Sequence, residues 1–264
     1  MSPDLRLGVL YIVYAGLVGA VVGSFLNVCI LRWGADPKQS VVTPRSRCPR
    51  CGRGLAWYEN IPVLSWLLLR ARCRGCGAPI SMQYPLIELA TAGIWAYLAW
   101  RHGLTLEALR GAVFGTILLG IAMTDAREYL IPDEFTWGGL VIALLFSLAA
   151  GGLSGLGSAL LGAAVGFGLL WLVGRVGTWV FKEEAMGGGD IKMMAMVGAF
   201  VGWQGVLLTI FLGAFFGSLI FLPLLLAGQK KLVPFGIFLS LGAATAYLVG
   251  PQMVHWYARF ITGA

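Results

Sequence analysis

Two aspartates stand in apolar parts of this chain. Asp125 follows the run Ile121-Ala-Met-Thr124, and Asp190 begins another apolar segment. Carboxylates are rare in hydrocarbon-facing sequence, and those that occur there as a rule have a function. Two aspartates that share a site hold one proton between them. One carboxylate can then take a proton from water while the other acid gives one to a peptide group. Such a pair could hydrolyse an amide bond.

The glycines Gly187, Gly188 and Gly189 directly precede Asp190. A backbone without side chains can approach an extended peptide closely, which suits a protease. An aspartate is also a favoured N-cap, so this segment alone fits a capped helix equally well. Asp125 favours the enzyme, because an acid at the end of an apolar span is unfavourable to the helix dipole.

Four of the five cysteines form two matched pairs, Cys48-Pro-Arg-Cys51 and Cys73-Arg-Gly-Cys76, and each pair is followed by a glycine. Two intervening residues let both sulfurs point at one ion, and the glycine permits a left-handed backbone. Four thiolates suit a structural, tetrahedral zinc ion. Disulfides and a redox CxxC motif are the alternatives. The location predicted below for this segment is the cytoplasm, where thiols stay reduced, which argues against disulfides. The presence of two matched pairs favours a metal site over a redox motif.

The composition indicates an integral membrane protein, because 58% of residues are hydrophobic, only 12% are charged and the mean hydropathy is +0.82. We predict an all-α polytopic fold with about eight transmembrane helices. The expected spans are 7–31, 84–100, 106–123, 135–152, 155–181, 191–204, 206–227 and 235–257. The span 191–204 is short and barely separated from the next, so seven helices remain an alternative.

The segment 32–83 carries nine of the 19 Lys and Arg residues against two acids, a net charge of +7. The positive-inside rule predicts that it is cytoplasmic and that the amino terminus is outside. Both aspartates then fall at the cytoplasmic membrane face.

The stretch 61–69 is apolar but too short to cross a bilayer, so we expect it to lie on the membrane surface or on the helices. The transmembrane spans around this segment argue against nucleic acid as a partner.

Other polar residues receive separate interpretations. Glu88, inside the second span, is either the partner of a basic residue or part of a second polar site. Asp133 and Glu134 follow Pro132 and begin the fourth span, where acids favour the helix start. We interpret these two acids as structural or substrate-steering. His102, His255 and Cys29 are read as ordinary interface or core residues.

Several short motifs occur together along almost the whole chain. They are Gly23-Ser-Phe-Leu-Asn27, the two cysteine pairs, Asn60-Ile-Pro62, Ile80-Ser81, Tyr84-Pro85 with Glu88-Leu89, Asp125 followed by Ile131-Pro-Asp133, Gly187-Gly-Gly-Asp-Ile-Lys192, and Pro234-Phe-Gly236. In this order and spacing they resemble those of the type IV prepilin peptidases, which are related to the GxGD intramembrane aspartyl proteases. The chain differs at Ala71-Arg72, where that family commonly has Gly-Lys, and at Ile237, where proline is usual.

The resemblance implies an inner-membrane enzyme that cuts a short basic leader from prepilins or pseudopilins, after a glycine, at the cytoplasmic membrane face. These substrates belong to type IV pili or type II secretion. It also implies N-methylation of the new amino terminus with S-adenosylmethionine, for which no residue is assigned. By motif match, Asp125 and Asp190 would be the catalytic pair, and the zinc ligands would be Cys48, Cys51, Cys73 and Cys76. We expect support of the substrate or active site from Gly187, Gly188, Gly189, Lys192 and Glu88.

The expected domains are a first transmembrane helix at 1–31, a cytoplasmic zinc-binding domain at 32–83 and a transmembrane aspartyl peptidase core at 84–264. Two other functions are open from the residues alone. A proton-coupled transporter could relay protons through paired carboxylates, although it should show an internal repeat and carboxylates near the midplane. A non-enzymatic assembly protein could use the zinc loop to dock partners, and the aspartates would then be dispensable.

Overall fold

The structure is a computed structural model that describes residues 3–35, 37–43, 45–226 and 234–262. Over these ranges the chain is helical and contains no strand, only two isolated bridges, Arg47 with Gly54 and Arg72 with Pro79. The helices are α1 (Pro3–Trp33), α2 (Leu64–Leu68), α3 (Gln83–His102), α4 (Leu106–Glu128), α5 (Asp133–Phe181), α6 (Gly188–Leu226) and α7 (Phe235–Thr262), with a 3-10 turn at Trp57–Asn60. The predicted all-α class is confirmed for the described residues.

Five helices in the described part of the chain are long and apolar enough to cross a membrane: Gly8–Trp33, Leu106–Glu128, Asp133–Phe181, Gly188–Phe221 and Phe235–Met253. The membrane character is therefore confirmed, but five is fewer than the eight spans expected. Helix α3 covers the predicted span 84–100 and is not among the five. The predicted boundaries near 152 and 204 fall inside α5 and α6.

Glycines interrupt both of these long helices. Gly152 in α5 has φ 58° and ψ −147°, and Gly202 in α6 has φ 74° and ψ 173°. These backbone angles are open to glycine and are strained for other residues. The 49 residues of α5 would measure about 74 Å as one straight helix, more than twice the roughly 30 Å thickness of a bilayer core. A break inside α5 is therefore expected from its length alone.

The chain forms two compact units, Met1–Thr116 and Ile117–Ala264. In the first unit, α1 packs closely against α3. A Cβ atom added to Gly19 would lie 2.8 Å from Cβ of Trp95, and one added to Gly23 would lie 2.8 Å from Cα of Glu88. Small residues four apart let two membrane helices approach to backbone contact. Asn27, fully buried one turn later, donates a hydrogen bond from Nδ2 to the Tyr84 carbonyl at 3.2 Å.

In the second unit, α6 is the central helix. Its residues 193–200 are all buried, and it packs against both α5 and α7. Gly162 of α5 and Gly198 of α6 face each other so closely that a Cβ on either would collide with the other's carbonyl oxygen. This crossing fixes α6, and therefore Asp190 at its start, against α5.

Candidate functional site

Asp125 lies in the last turn and a half of α4, and its side chain is buried. Its Oδ2 accepts a hydrogen bond from the N–H of Ile237 at 3.2 Å, and the N–H of Gly236 also donates to this carboxyl group. Both N–H groups belong to the first turn of α7, where no helical carbonyl is available to them. Asp125 therefore caps α7 from a different helix, and the positive end of that helix dipole stabilises its negative charge.

Asp190 is the third residue of α6 and is partly buried. Its Oδ1 atom has no hydrogen-bond partner among the described residues. An unpaired buried carboxylate oxygen is costly to a fold, and each such atom requires an explanation. The contrast with the hydrogen-bonded Asp125 is clear, because only Asp190 keeps a buried oxygen available to a proton or a ligand.

The structure brings these two aspartates together within the second unit, although 65 residues separate them in sequence. The two carboxyl groups are close enough to interact electrostatically. Ile131 packs between the start of α6, which carries Asp190, and the start of α7, which binds Asp125. A Cβ added to Gly189 would lie 3.0 Å from Cβ of Ile131, and one added to Gly236 would lie 2.9 Å from its Cδ1. Two glycines thus admit one isoleucine between the starts of α6 and α7.

The three glycines before Asp190 are not equivalent. A Cβ on Gly187 would lie 3.2 Å from Oδ2 of Asp190, and one on Gly189 would press on Ile131, whereas one on Gly188 would meet nothing within 4 Å. In the sequence the three glycines form one motif. In the structure, only the first and third positions lack room for a side chain.

Sequence reasoning missed an ion pair beside this site. Lys192 Nζ lies 2.8 Å from Oδ1 of Asp133, the first residue of α5. The two residues are 59 positions apart, and no local spacing indicates such a contact. The interpretation of Asp133 as structural is consistent with the pair.

Glu88 belongs to the first unit, where it is buried in α3. Its Oε2 accepts a hydrogen bond from the N–H of Val63 at 2.7 Å, and its carboxyl group also bonds the hydroxyl of Ser24. Neither partner is basic, so of the two alternatives the polar site describes these contacts better. Val63 has φ 60°, an unfavourable angle for a β-branched residue. The bond to Glu88 helps to hold it there.

The four paired cysteines converge on one point. The Sγ atoms of Cys48, Cys51, Cys73 and Cys76 all lie within 4.8 Å of one another, and those of Cys48 and Cys76 are 3.9 Å apart. Sulfurs bound tetrahedrally at about 2.3 Å from one ion would be roughly 3.8 Å apart. All four are free thiols rather than disulfides. The cluster therefore fits a metal ion, and zinc is compatible with its donor set.

Local backbone geometry prepares the cluster as the sequence predicted. The glycine after each pair is left-handed, with φ 70° at Gly52 and 68° at Gly77. Each closes a turn by donating its N–H at 2.9 Å to the carbonyl of the pair's first cysteine. Between the pairs, Glu59 is buried and accepts two hydrogen bonds from Arg53 Nη2, at 2.9 and 2.8 Å. The N–H of Ala56, followed by the Arg53 guanidinium, lowers the pKa of Glu59.

The thiols oppose one another's ionisation. Backbone N–H groups of Cys51 and Arg50 lower the pKa of Cys48 to about 6. The N–H of Ala78 lowers the pKa of Cys76, but burial and bonds to the other thiols together raise it to about 11. The pKa shifts have opposite directions because the thiolate that forms first disfavours ionisation of the next thiol. A bound cation would remove that opposition, which is why this donor set suits a metal.

Two family models match consecutive parts of the chain. Residues 17–102 match the model of the bacterial Peptidase A24 N-terminal domain, and residues 112–222 match that of the Type IV leader peptidase family. No solved structure matches the chain significantly.

Three curated relatives are named prepilin leader peptidase/N-methyltransferase. The Myxococcus xanthus protein is 46% identical over 83% of this chain and 65% of its own length. The Pseudomonas aeruginosa protein is 39% identical over 92% of both chains. The Aeromonas hydrophila protein is 36% identical over 94% of both chains. By these matches along most of its length, the chain belongs to the type IV leader peptidase family.

Proposed function

We propose that this chain is a membrane-embedded aspartic endopeptidase that removes leader peptides from prepilins or pseudopilins and then N-methylates the new amino terminus. Relatives whose names state both activities align with most of the chain. The observation that carries the peptidase assignment is the buried Oδ1 of Asp190, which has no hydrogen-bond partner in the described ranges and lies close to Asp125. The transporter alternative gains no support from these relatives.

The different surroundings of the two aspartates suggest their roles. Asp125, held by the N–H groups of Gly236 and Ile237, is the carboxylate that takes a proton from the attacking water. Asp190 carries the shared proton and gives it to the peptide carbonyl oxygen as the water oxygen bonds to the carbon. The C–N bond then breaks as the amine receives the proton from Asp125, and the diol returns a proton to Asp190. Both aspartates thereby return to their starting protonation states.

The neighbouring residues would shape the substrate path. Gly187 and Gly188 are exposed and leave the backbone before Asp190 open to an extended peptide, while Gly189 lets this backbone approach Ile131 closely. Lys192, bound to Asp133, holds the start of α6 in place. In the first unit, Glu88 fixes the loop at Val63.

We assign a structural zinc ion to Cys48, Cys51, Cys73 and Cys76. The two cysteine turns are joined at this cluster, and a tetrahedral ion would lock them into one module in a segment with little regular structure. S-adenosylmethionine would supply the methyl group, and no residue is assigned to it.

For topology we propose eight crossings in the inner membrane, with α5 and α6 each crossing twice around Gly152 and Gly202. The 39 residues of α6 span about 58 Å, too long for a single crossing, which favours eight helices over seven. The amino terminus would be outside, and the cysteine segment and both aspartates at the cytoplasmic face. The domains would be the first helix at 1–31, the zinc-binding segment at 32–83 and the peptidase core at 84–264.

The test uses the purified full chain in detergent with a prepilin substrate. Asp125→Asn and Asp190→Asn should each lower cleavage by at least about a hundredfold, while helical content is kept. Glu183→Gln, an acid in the exposed loop before the glycines, is the matched control and should cleave normally. Mass spectrometry reports leader loss and then methyl addition. Normal cleavage by either aspartate variant would contradict the proposed pair.

A further inference from the structure

The first unit contains an open cavity of about 810 Å³ between the second half of α1 and residues 41–62. Val21, Phe25 and Val28 form an apolar wall along α1, and Arg32, near the end of the same helix, and Arg45 also line the cavity. The proposed peptidase and methyl-transfer reactions assign no role to this cavity.

In the proposed topology, the apolar wall of the cavity lies at membrane depth. Val21 and Phe25 are 61% and 54% exposed on a helix apolar enough to cross the bilayer, so their side chains meet hydrocarbon. Arg32 follows Val21 by eleven residues, which is about 16 Å along a helix. The cavity therefore extends from the hydrocarbon region to the end of the span, where headgroups lie.

Two cationic side chains also line the cavity. Arg32 is held by a hydrogen bond from Nη1 to the carbonyl of Ser40 at 2.5 Å, and Arg45 is exposed. Trp57, also on the lining, is 81% exposed, and tryptophan is typical of the membrane interface. The surrounding segment 32–83 carries a net charge of +7. An anion is thus favoured near these arginines, and a basic peptide is repelled.

The segment next to the cavity presents apolar side chains that would keep it at the bilayer. Ile61 lines the cavity, and Leu64, Leu67 and Leu68 of α2 are 49%, 58% and 73% exposed. Apolar groups exposed on a basic segment are typical of surfaces that rest in the headgroup region. The cavity mouth would then open onto lipid rather than onto bulk water.

We propose that this cavity binds one anionic phospholipid, with its phosphate against Arg32 and Arg45 and its acyl chains along Val21, Phe25 and Val28. The apolar wall alone would accept any lipid, and the two guanidinium groups select the negative headgroup. The lipid would hold the cysteine segment on the membrane surface.

The experiment uses the full chain purified in a neutral detergent and incubated with equal amounts of phosphatidylglycerol and phosphatidylcholine that carry identical acyl chains. Native mass spectrometry should detect one phosphatidylglycerol retained per chain in preference to phosphatidylcholine. Arg45→Gln should lower that preference about fivefold, the effect of one basic residue at an anionic surface, and Arg45→Glu should lower it further. Arg70→Gln removes an equal charge from an exposed residue of the same segment outside the lining, and should leave the preference unchanged.

Three results would overturn the proposal. Equal losses in the Arg45 and Arg70 variants would show that the charge of the whole segment, rather than the cavity, attracts lipid. Binding of glycerol phosphate as tightly as the lipid would show a site for a free anion. Displacement of the bound lipid by S-adenosylmethionine would show that the cavity belongs to the methyl donor.

Discussion

The ammonium group of Lys192 lies 2.8 Å from Oδ1 and 3.0 Å from Oδ2 of Asp133. Lys192 comes two residues after Asp190, and Asp133 comes two residues after Ile131, the side chain packed between Gly189 and Gly236. The ion pair therefore ties the start of α6 to the start of α5 beside the proposed catalytic pair. Its side chains are 35% and 49% exposed, so its contribution to stability is below about 1 kcal/mol. The main effect of this ion pair should be to position the start of α6, which carries Asp190.

Lys192→Met and Asp133→Asn should each lower kcat for leader cleavage about tenfold, because a small displacement of a catalytic group is costly to rate. The melting temperature should change little. The double variant should lose no more activity than either single variant, since each of the three variants removes the same ion pair. Multiplied losses in the double variant would mean that the two residues act separately.

Gly236 tests the close packing around Asp125. A Cβ at this position would lie 2.9 Å from Oδ2 of Asp125 and 2.9 Å from Cδ1 of Ile131. Gly236→Ala should therefore displace the carboxyl group and lower cleavage by about a hundredfold, while metal content is kept. Gly168→Ala is the matched control, because a Cβ there meets nothing within 4 Å in a helix. Normal activity of Gly236→Ala would contradict a fixed Asp125.

Features set by local spacing were predictable from the sequence. The left-handed Gly52 and Gly77 after the cysteine pairs follow from a two-residue spacing, and the start of α5 at Asp133 follows from Pro132. The membrane class follows from composition. Topology also predicted that Asp125 and Asp190 could be neighbours, because basic residues place both span ends at one face.

Contacts between distant helices were not predictable. The N–H of Ile237 that binds Asp125 is 112 residues away, and Lys192 is 59 residues from Asp133. Such pairs depend on how α4, α5, α6 and α7 pack, and apolar periodicity carries no information on that in a bilayer-exposed helix. The glycines at helix crossings gave a weak signal, since Gly19 and Gly23 are spaced by four residues.

The metal assignment predicts one zinc ion per chain in purified protein. Cys51→Ser should lower the zinc content to near zero, because three thiolates bind far more weakly than four. Proteolysis within residues 48–76 should become faster. Cys29→Ala is the control, since Cys29 is a buried residue of α1 outside the cluster, and it should retain the ion. A full zinc content in Cys51→Ser would contradict the four-cysteine site.

Ala71 lies two residues before Cys73. Its φ is 56°, in the left-handed region that costs a residue with a Cβ about 1–2 kcal/mol. The backbone is held there on both sides, because its N–H bonds the Trp66 carbonyl at 2.9 Å and its carbonyl accepts from Ile80 at 2.7 Å. The neighbouring cysteine turn begins two residues later, so relief of this strain should stabilise the metal-binding segment.

Ala71→Gly should therefore raise the free energy of unfolding by roughly 0.5–1 kcal/mol, once the greater backbone entropy of glycine in the unfolded chain is subtracted. Denaturant-driven zinc release, followed with a colorimetric chelator, measures this directly. Ala78→Gly is the matched control, because Ala78 is buried and lacks a positive φ, so its loss of a methyl group should make release easier. If Ala71→Gly also released zinc more easily, the left-handed backbone at this position would not be strained by alanine.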